Sequence, residues 1–317
     1  MTRYLLRRAV AAATLLWMVV TFVFAAVYLL PGDPALIILG GLESHPSPEQ
    51  VQAVHRELGL ERPMAERYVE WLGRLLRGDM GHSLITGLPV SRELAVRLGR
   101  TLELIVPATA IAACVGLPAG VLAARRRGTA LDPLLTAVAL LGFSVPVFVT
   151  GPMLVAIFSL GLGALPSEGY TPPTESFGAF VSYLVLPACA LSAAPLATTM
   201  RMTRSSVLEQ LSFDYVRTAR SKGLGERFVF ARHVVRNALL PVVTIVGLQV
   251  GAMFAGSVLV ETIFNWPGMN LYLLQGINQR DYPVIQSVVL VAAAIFILVN
   301  LLIDVAYTLL DPRNKYG

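Results

Sequence analysis

The sequence predicts an all-α integral membrane protein, with six transmembrane helices and an external helical insertion between the first and second spans. Three observations predict it. Of the 317 residues, 55% are hydrophobic and only 14% are charged, where soluble domains carry roughly 25%. Six stretches free of charge are long enough to cross a bilayer: Ala9–Leu30, Leu104–Ala124, Pro133–Ser167, Phe177–Met200, Asn237–Val260 and Tyr282–Ile303. The basic residues fall on alternate sides of these stretches.

A spanning helix needs about 20 apolar residues, because each adds ~1.5 Å against a ~30 Å hydrocarbon core. Every run meets that length. The third exceeds it, so Gly161–Ser167 is expected to lie already in the outer loop. The first run follows Arg3, Arg7 and Arg8, as a signal peptide would. Its 22 residues exceed the apolar core of about 7–15 in such a signal, and no small-x-small cleavage site follows. It is expected to stay as a helix.

Basic residues in short loops set the orientation. Arg125, Arg126 and Arg127 separate spans two and three. The loop from Arg201 to Arg236 holds eight basic and three acidic residues. Arg313 and Lys315 follow the last span. The loop between spans three and four has none, and that between five and six has only Arg280. Both termini are therefore expected in the cytoplasm. The net charge of +5 is a topology signal and does not call for nucleic acid.

The chain then divides into 1–30, an external insertion at 31–100, and a core at 101–317 with a cytoplasmic loop at 201–236. The insertion reads as short amphipathic helices. Ser47, Pro48 and Gln50 fit the N-cap, N1 and N3 positions of a helix ending before Gly59. Pro63 opens another, with Met64, Tyr68, Leu72, Leu75 and Leu76 on one face and Gly78 past its end. Such a layer suits a lid on the outer membrane surface or a dock for a delivery protein.

Catalytic chemistry finds little support. Cys114 and Cys189 lie in apolar runs and read as small buried hydrophobes. His45, His55, His82 and His233 lie outside the spans without metal-ligand spacing. No span contains a G-x-S-x-G string, so an intramembrane hydrolase lacks its nucleophile. A passive channel or secondary transporter would not need the long structured loop at 201–236.

That loop carries the functional argument. Asp214 to Lys222 reads as a helix with an acid in its first turn, and Gly223 stands where a left-handed residue ends it. After Gly225, a basic helical stretch from Glu226 to Arg236 leads into span five. The segment resembles the coupling motif of ATP-binding-cassette importer permeases. Aligned on Gly223, Arg217, Thr218 and Ala219 stand at the E-A-A positions, and His233, Val235 and Arg236 at those of I-x-L-P. The strings D-Y-V-R-T-A-R-S-K-G-L and R-H-x-x-R-N-A-L-L-P resemble the first of two permeases in the dipeptide, oligopeptide and nickel importer class. So do L-P-G-D-P at Leu30–Pro34, L-R-G-D-M-G-H-S at Leu76–Ser83, V-E-T-I-F-N-W-P-G at Val260–Gly268, Q-R-D-Y-P at Gln279–Pro283, and the ending from Asn300 to Arg313.

The resemblance implies the type I importer permease fold and a translocation path for dipeptides or oligopeptides, with nickel chelates, glutathione or other small solutes as alternatives. It implies a prokaryotic cytoplasmic membrane. The implied partners are a second homologous permease, two ATP-binding subunits and an external solute-binding protein. It implies that Asp214, Tyr215, Arg217, Thr218, Ala219, Lys222, Gly223 and Leu224 contact the ATPase. Phe264, Asn265, Trp266, Gln279 and Arg280 are the candidate contacts for the binding protein. The chain has no G-x-x-x-x-G-K-[ST] phosphate loop, so ATP and Mg are expected on partner subunits and no cofactor on this chain.

Glu103, Glu261 and Asp304 lie at or within spans, where charge is costly. Glu103 and Glu261 are expected near the water-accessible outer ends, and Asp304 paired with a basic loop residue. Pro107, Pro118, Pro146, Pro152, Pro187 and Pro195 are expected kinks. Ser144 and Asn265 are polar groups placed to line a path.

Overall fold

The computed structural model describes residues 2–29, 35, 39, 46–57 and 61–310, with side chains described for 7–26, 35, 39, 46–56 and 61–303. Leu30–Pro34, His45, Gly59, Arg313, Lys315 and the side chains of Arg3 and Asp304 lie outside the described residues. The helices are α1 (Thr2–Leu29), α2 (Pro48–Glu57), α3 (Met64–Leu76), α4 (Val90–Arg125), α5 (Leu131–Ser144), α6 (Val147–Leu154), α7 (Phe177–Ser212), α8 (Asp214–Ser221), α9 (Glu226–Phe228), α10 (Arg236–Ile263), α11 (Met269–Gln279) and α12 (Tyr282–Leu310). Two π-helical segments, Val155–Gly161 and Val229–Val235, extend α6 and join α9 to α10. Among the described residues, five helices are long and apolar enough to span a membrane, and six spans result if the bent pair α5 and α6 counts as one.

The third span is not the single helix expected. It turns by 104° between α5 and α6. Val145 is extended at φ −86° and ψ 118°, and Pro146 follows at ψ 149°. A proline pushes its preceding residue out of the helical region, and here the helix has to restart. The helix beyond it ends at Gly161, so Gly161 still belongs to the helix and 162–167 follow it as non-helical chain. Pro107, Pro118, Pro152, Pro187 and Pro195 remain inside helices. Helices also overrun the apolar runs. Hydrophobicity ends with the hydrocarbon, but the hydrogen-bond ladder continues, so α7 extends to Ser212 and α4 starts at Val90.

The chain forms two compact units that interleave in sequence. Among the described residues, one comprises Leu102–Trp266 with 298–310; the other comprises Thr2–Thr101 with Pro267–Ile297. α4 therefore runs unbroken through the expected boundary at 100/101.

Small residues build the first unit. Gly116 and Gly120 of α4, four residues apart, face the backbone of α7. A Cβ on Gly116 would stand 2.9 Å from the Leu196 carbonyl oxygen, and one on Gly120 2.5 Å from that of Met200. Membrane helices lack a strong hydrophobic drive toward each other, so close backbone approach supplies the packing. Ala123, Ala139, Ala197 and Met200 form a core beside this contact. Arg204, two turns before the end of α7, grips Asp132 in the first turn of α5 through two hydrogen bonds of 2.6 and 2.9 Å. Cys114 is exposed and Cys189 half-buried, so neither is buried within the chain as expected.

In the second unit, α2 begins with the expected reciprocal cap. The Ser47 N–H donates to Gln50 Oε1 at 2.8 Å, and the Gln50 N–H to Ser47 Oγ at 3.3 Å. Gly78 ends the next turn at φ +80°. α3 leans on α1 through Tyr68 and Trp71, whose rings lie 5.2 and 5.4 Å from that of Phe24. The Tyr68 hydroxyl also meets Thr21 Oγ1 at 2.8 Å. Val69 and Leu76 of α3 stay exposed.

Two of the family-like strings meet in this unit. The buried Asp281 carboxylate accepts from the Ser83 hydroxyl and from the Leu84 N–H at 3.2 Å. The Ser287 hydroxyl donates to the Met80 carbonyl at 3.3 Å. Nearby, Arg97 pairs with Glu93 at 2.6 Å and lies 4.5 Å over the Tyr272 ring. Burial pushes the Tyr272 phenol up, Asp281 and Glu93 add to this, and Arg97 opposes it. Asp281→Ala strips a buried hydroxyl and an N–H of their acceptor. It is expected to destabilise residues 79–89 by about 1–3 kcal/mol, seen as faster amide hydrogen exchange there. Unchanged exchange at Leu84 would show that the carboxylate does not hold the segment.

Candidate functional site

α8 is short, polar and seated on one side. Val216 and Ala219, three residues apart, lie on one helical face. They are buried with Ala124, Val207, Val229, Val234 and Ala238. The other α8 positions project outward: Asp214, Tyr215, Arg217, Thr218, Arg220 and Ser221 are all exposed.

The C-terminal turn is built as the glycine suggests. The Gly223 N–H donates to the Arg220 carbonyl at 2.9 Å, and the Leu224 N–H to that of Ala219 at 3.4 Å. Gly223 adopts φ +78°, a left-handed value costing other residues roughly 1–2 kcal/mol. Gly225 needs no such freedom, at φ −60°. Arg220 then closes the turn by reaching Glu226 with two bonds of 3.0 and 2.7 Å. The carboxylate holds the Arg220 guanidinium's pKa above its ordinary value.

The other end of α8 is tied down by Tyr215. Its hydroxyl lies 2.5 Å from Gln210 Oε1 and 3.2 Å from the His233 carbonyl oxygen, and accepts from Asn237 Nδ2 at 3.4 Å. One phenol thus connects α7, α8 and the helix leading into α10. Phe213, Leu224 and Phe228 are exposed apolar side chains beside Arg217, Lys222 and Arg227. This mixed surface has the character of a protein contact: aromatic anchors among guanidiniums.

The structure redistributes the residues singled out from sequence. Asp214, Tyr215, Arg217, Thr218, Lys222, Gly223 and Leu224 are exposed on or beside α8. Ala219 is not; it faces inward at 8% exposure and helps seat the helix. Val216, Arg220 and Glu226 were missed. The apolar pair at i and i+3 in a polar helix was a readable signal for Val216, whereas nothing local marked the Arg220–Glu226 pair.

Among the candidate external contacts, Phe264 and Trp266 are buried. The Trp266 ring meets Tyr170 edge-on at 4.8 Å, and the Phe264 carbonyl accepts from the Gly169 N–H at 2.9 Å. Both side chains therefore pack against their own chain, where a docked protein would not touch them. Asn265 is exposed at φ 48°, as are Gln279 and Arg280, the latter at φ 52°. Glu261 is also fully buried, against the expected access to water, with the Ser257 hydroxyl 3.1 Å from its carboxylate. Glu103 is half-buried and accepts from the Tyr170 hydroxyl at 3.0 Å. Ser144 is exposed at the break in span three.

Comparison with known proteins covers the whole chain. Residues 116–316 match the binding-protein-dependent transport system inner membrane component family, and residues 1–90 match the N-terminal family of the same membrane components. The dipeptide transport system permease protein of Escherichia coli strain K12 is 40% identical over 339 aligned residues, covering 100% of this chain and 99% of that protein. A di/tripeptide transport system permease protein of Pseudomonas aeruginosa is 42% identical, over 92% of this chain and 93% of its own. The dipeptide transport system permease protein of Alkalihalophilus pseudofirmus is 39% identical over 100% of both. With matched residues on both sides of the coupling turn and identity sustained end to end, this multi-pass membrane protein belongs to the binding-protein-dependent transport system inner membrane component family.

Proposed function

We propose that the chain forms, with a second homologous permease, the translocation path of an ATP-driven importer for dipeptides and short oligopeptides. An external solute-binding protein delivers the solute, and two ATP-binding subunits hold ATP and Mg and drive the cycle. The observation that carries this reading is full-length similarity to dipeptide permeases, joined to a rigidly seated α8 at the aligned coupling motif. A contact that transmits force has to be stiff. α8 is anchored by Val216 and Ala219 below, Tyr215 at one end and the Arg220–Glu226 clamp at the other. The ATPase contact is assigned to Asp214, Tyr215, Arg217, Thr218, Lys222, Gly223 and Leu224, with Arg220 and Ala219 as supports. Asn265, Gln279 and Arg280 are assigned to the binding protein. The segment 31–100 lies at the outer surface.

Gly223 gives the test. A β-branched residue is poorly accommodated in the left-handed region, yet a Cβ there meets nothing within 4 Å. Gly223→Val should insert and assemble normally while lowering uptake and substrate-stimulated ATP hydrolysis severalfold. Gly223→Asn, which tolerates the conformation, should fall between. Wild-type stimulation in an assembled Gly223→Val complex would remove the assignment.

The basic residues at 125–127 and 201–236 support a cytoplasmic position for both termini and α8, and similarity to bacterial permeases supports a prokaryotic cell. In a cysteine-free background, an impermeant maleimide added outside should label Glu66→Cys and spare Lys222→Cys. The opposite pattern would invert the topology.

A further inference from the structure

The first unit contains a cavity of about 300 Å³ between the start of α6, the middle of α7 and the middle of α10. It adjoins the break at Val145. Small residues make the room: Ala190, Ala193 and Ala194 on α7, and Ala252 and Gly256 on α10. A Cβ added at Gly256 would meet nothing within 4 Å, so the space beside it is open. The volume is at the small end of ligand pockets, which run from roughly 300 to 1,000 Å³.

Three polar side chains line this apolar chamber: Thr150, Thr198 and Gln249. The threonine hydroxyls donate to their own helices, Thr150 to the Val147 carbonyl at 3.2 Å and Thr198 to that of Ala194 at 3.0 Å. Their lone pairs remain as acceptors. Gln249 differs. Its Oε1 accepts from Thr199 Oγ1 at 3.4 Å, but its Nε2 is buried with no hydrogen-bond partner. Buried polar groups are almost always paired, and an orphan one implies a missing partner. Rotating the amide by 180° exchanges the free donor for a free acceptor. A peptide bond, carrying both a carbonyl and an N–H, satisfies either arrangement.

We propose that this cavity is a transit site for the backbone of a short peptide, with Gln249 hydrogen-bonded to a peptide amide; the proposal rests on the importer reading above. The chemistry of the lining fits a passing solute. It holds no carboxylate, lysine or arginine, so the charged ends of a peptide find no fixed partner and binding stays weak. A conduction site has to be favourable enough to enter and weak enough to leave. The alanine and glycine walls contact side chains without specifying them.

The test uses the complete transporter in proteoliposomes, with radiolabelled dialanine as the probe and co-purification of all subunits as the check on assembly. Gly256→Leu fills the chamber, and Gln249→Leu removes the amide at similar volume. Gln249→Leu should lower ATP-driven uptake by roughly three- to tenfold, the factor set by one net hydrogen bond. Gly256→Leu should lower it further. Wild-type uptake in both variants overturns the site and leaves the importer reading intact. Loss of the second permease from Gly256→Leu would also overturn it, by making the cavity a subunit contact. Failure of the wild-type complex to import dialanine on ATP addition overturns the importer reading, and the site with it.

Discussion

Gly120→Val is expected to prevent the chain from accumulating as a folded membrane protein. A Cβ at this position would lie 2.5 Å from the Met200 carbonyl oxygen, 2.6 Å from Thr203 Cβ and 3.1 Å from the Arg204 nitrogen. Two of these three are backbone atoms of α7, which no rotamer change moves. Relief would require α4 and α7 to separate, and separation would open the alanine core around Ala123 and Ala197. It would also pull Arg204 away from Asp132. Overpacking by a methylene typically costs about 1–3 kcal/mol, and a collision with backbone on a second helix should exceed that. Gly116→Ala, whose Cβ meets the Leu196 oxygen at 2.9 Å, should be milder. The measurement is the yield of monodisperse solubilised protein together with its unfolding midpoint. A Gly120→Val protein with wild-type yield and midpoint would mean that α4 and α7 do not approach this closely.

Val216→Asp is expected to uncouple the complex by unseating α8. Val216 is fully buried, surrounded by Val207, Val229, Val234 and Ala238. A carboxylate there has no cation within its cluster, and an isolated buried charge costs several kcal/mol. The helix should lift away so that the acid reaches water, carrying Arg217 and Arg220 with it. Trypsin should then cleave after these arginines far faster, and substrate-stimulated ATP hydrolysis should disappear. Arg217→Ala, by contrast, changes an exposed side chain and should leave protease resistance intact. Retained resistance and retained stimulation in Val216→Asp would show that α8 is held by something other than its apolar face.

The features legible in the sequence are those written by neighbouring residues. Apolar runs located every span, and the Ser47–Gln50 cap and the left-handed Gly223 followed from local spacing. The rest depends on partners far along the chain. Ser83 and Asp281 are 198 positions apart, and nothing in either string announces the other. Phe264 and Trp266 stood as partner contacts because they open a polar and aromatic segment between two spans that the family resemblance directs toward the binding protein. The loop at Gly169–Tyr170 takes them up instead. Glu261 looked water-accessible because it lies near the end of an apolar run, yet its turn of α10 faces inward. The Val145–Pro146 break was marked only as one proline among several, and proline identity alone does not separate a kink from a 104° turn. For the coupling loop, sequence gave the helix and its stop but not which side is seat and which is surface.

The π-helical stretch at Val229–Val235 gives the connection between the coupling turn and span five one residue of slack. A π segment holds about one residue more than the α-helix that would replace it. Deleting a single residue here would let the segment relax to regular α-helix with its two ends in nearly the same phase. A second deletion, or an insertion, has no such relief, because each residue of an α-helix advances it by about 100°. That turn would carry Tyr215 away from Asn237 across the stretch, whereas Arg220 and Glu226, both before it, would keep their clamp. Length changes between Gly223 and Arg236 other than that one deletion should therefore be selected against.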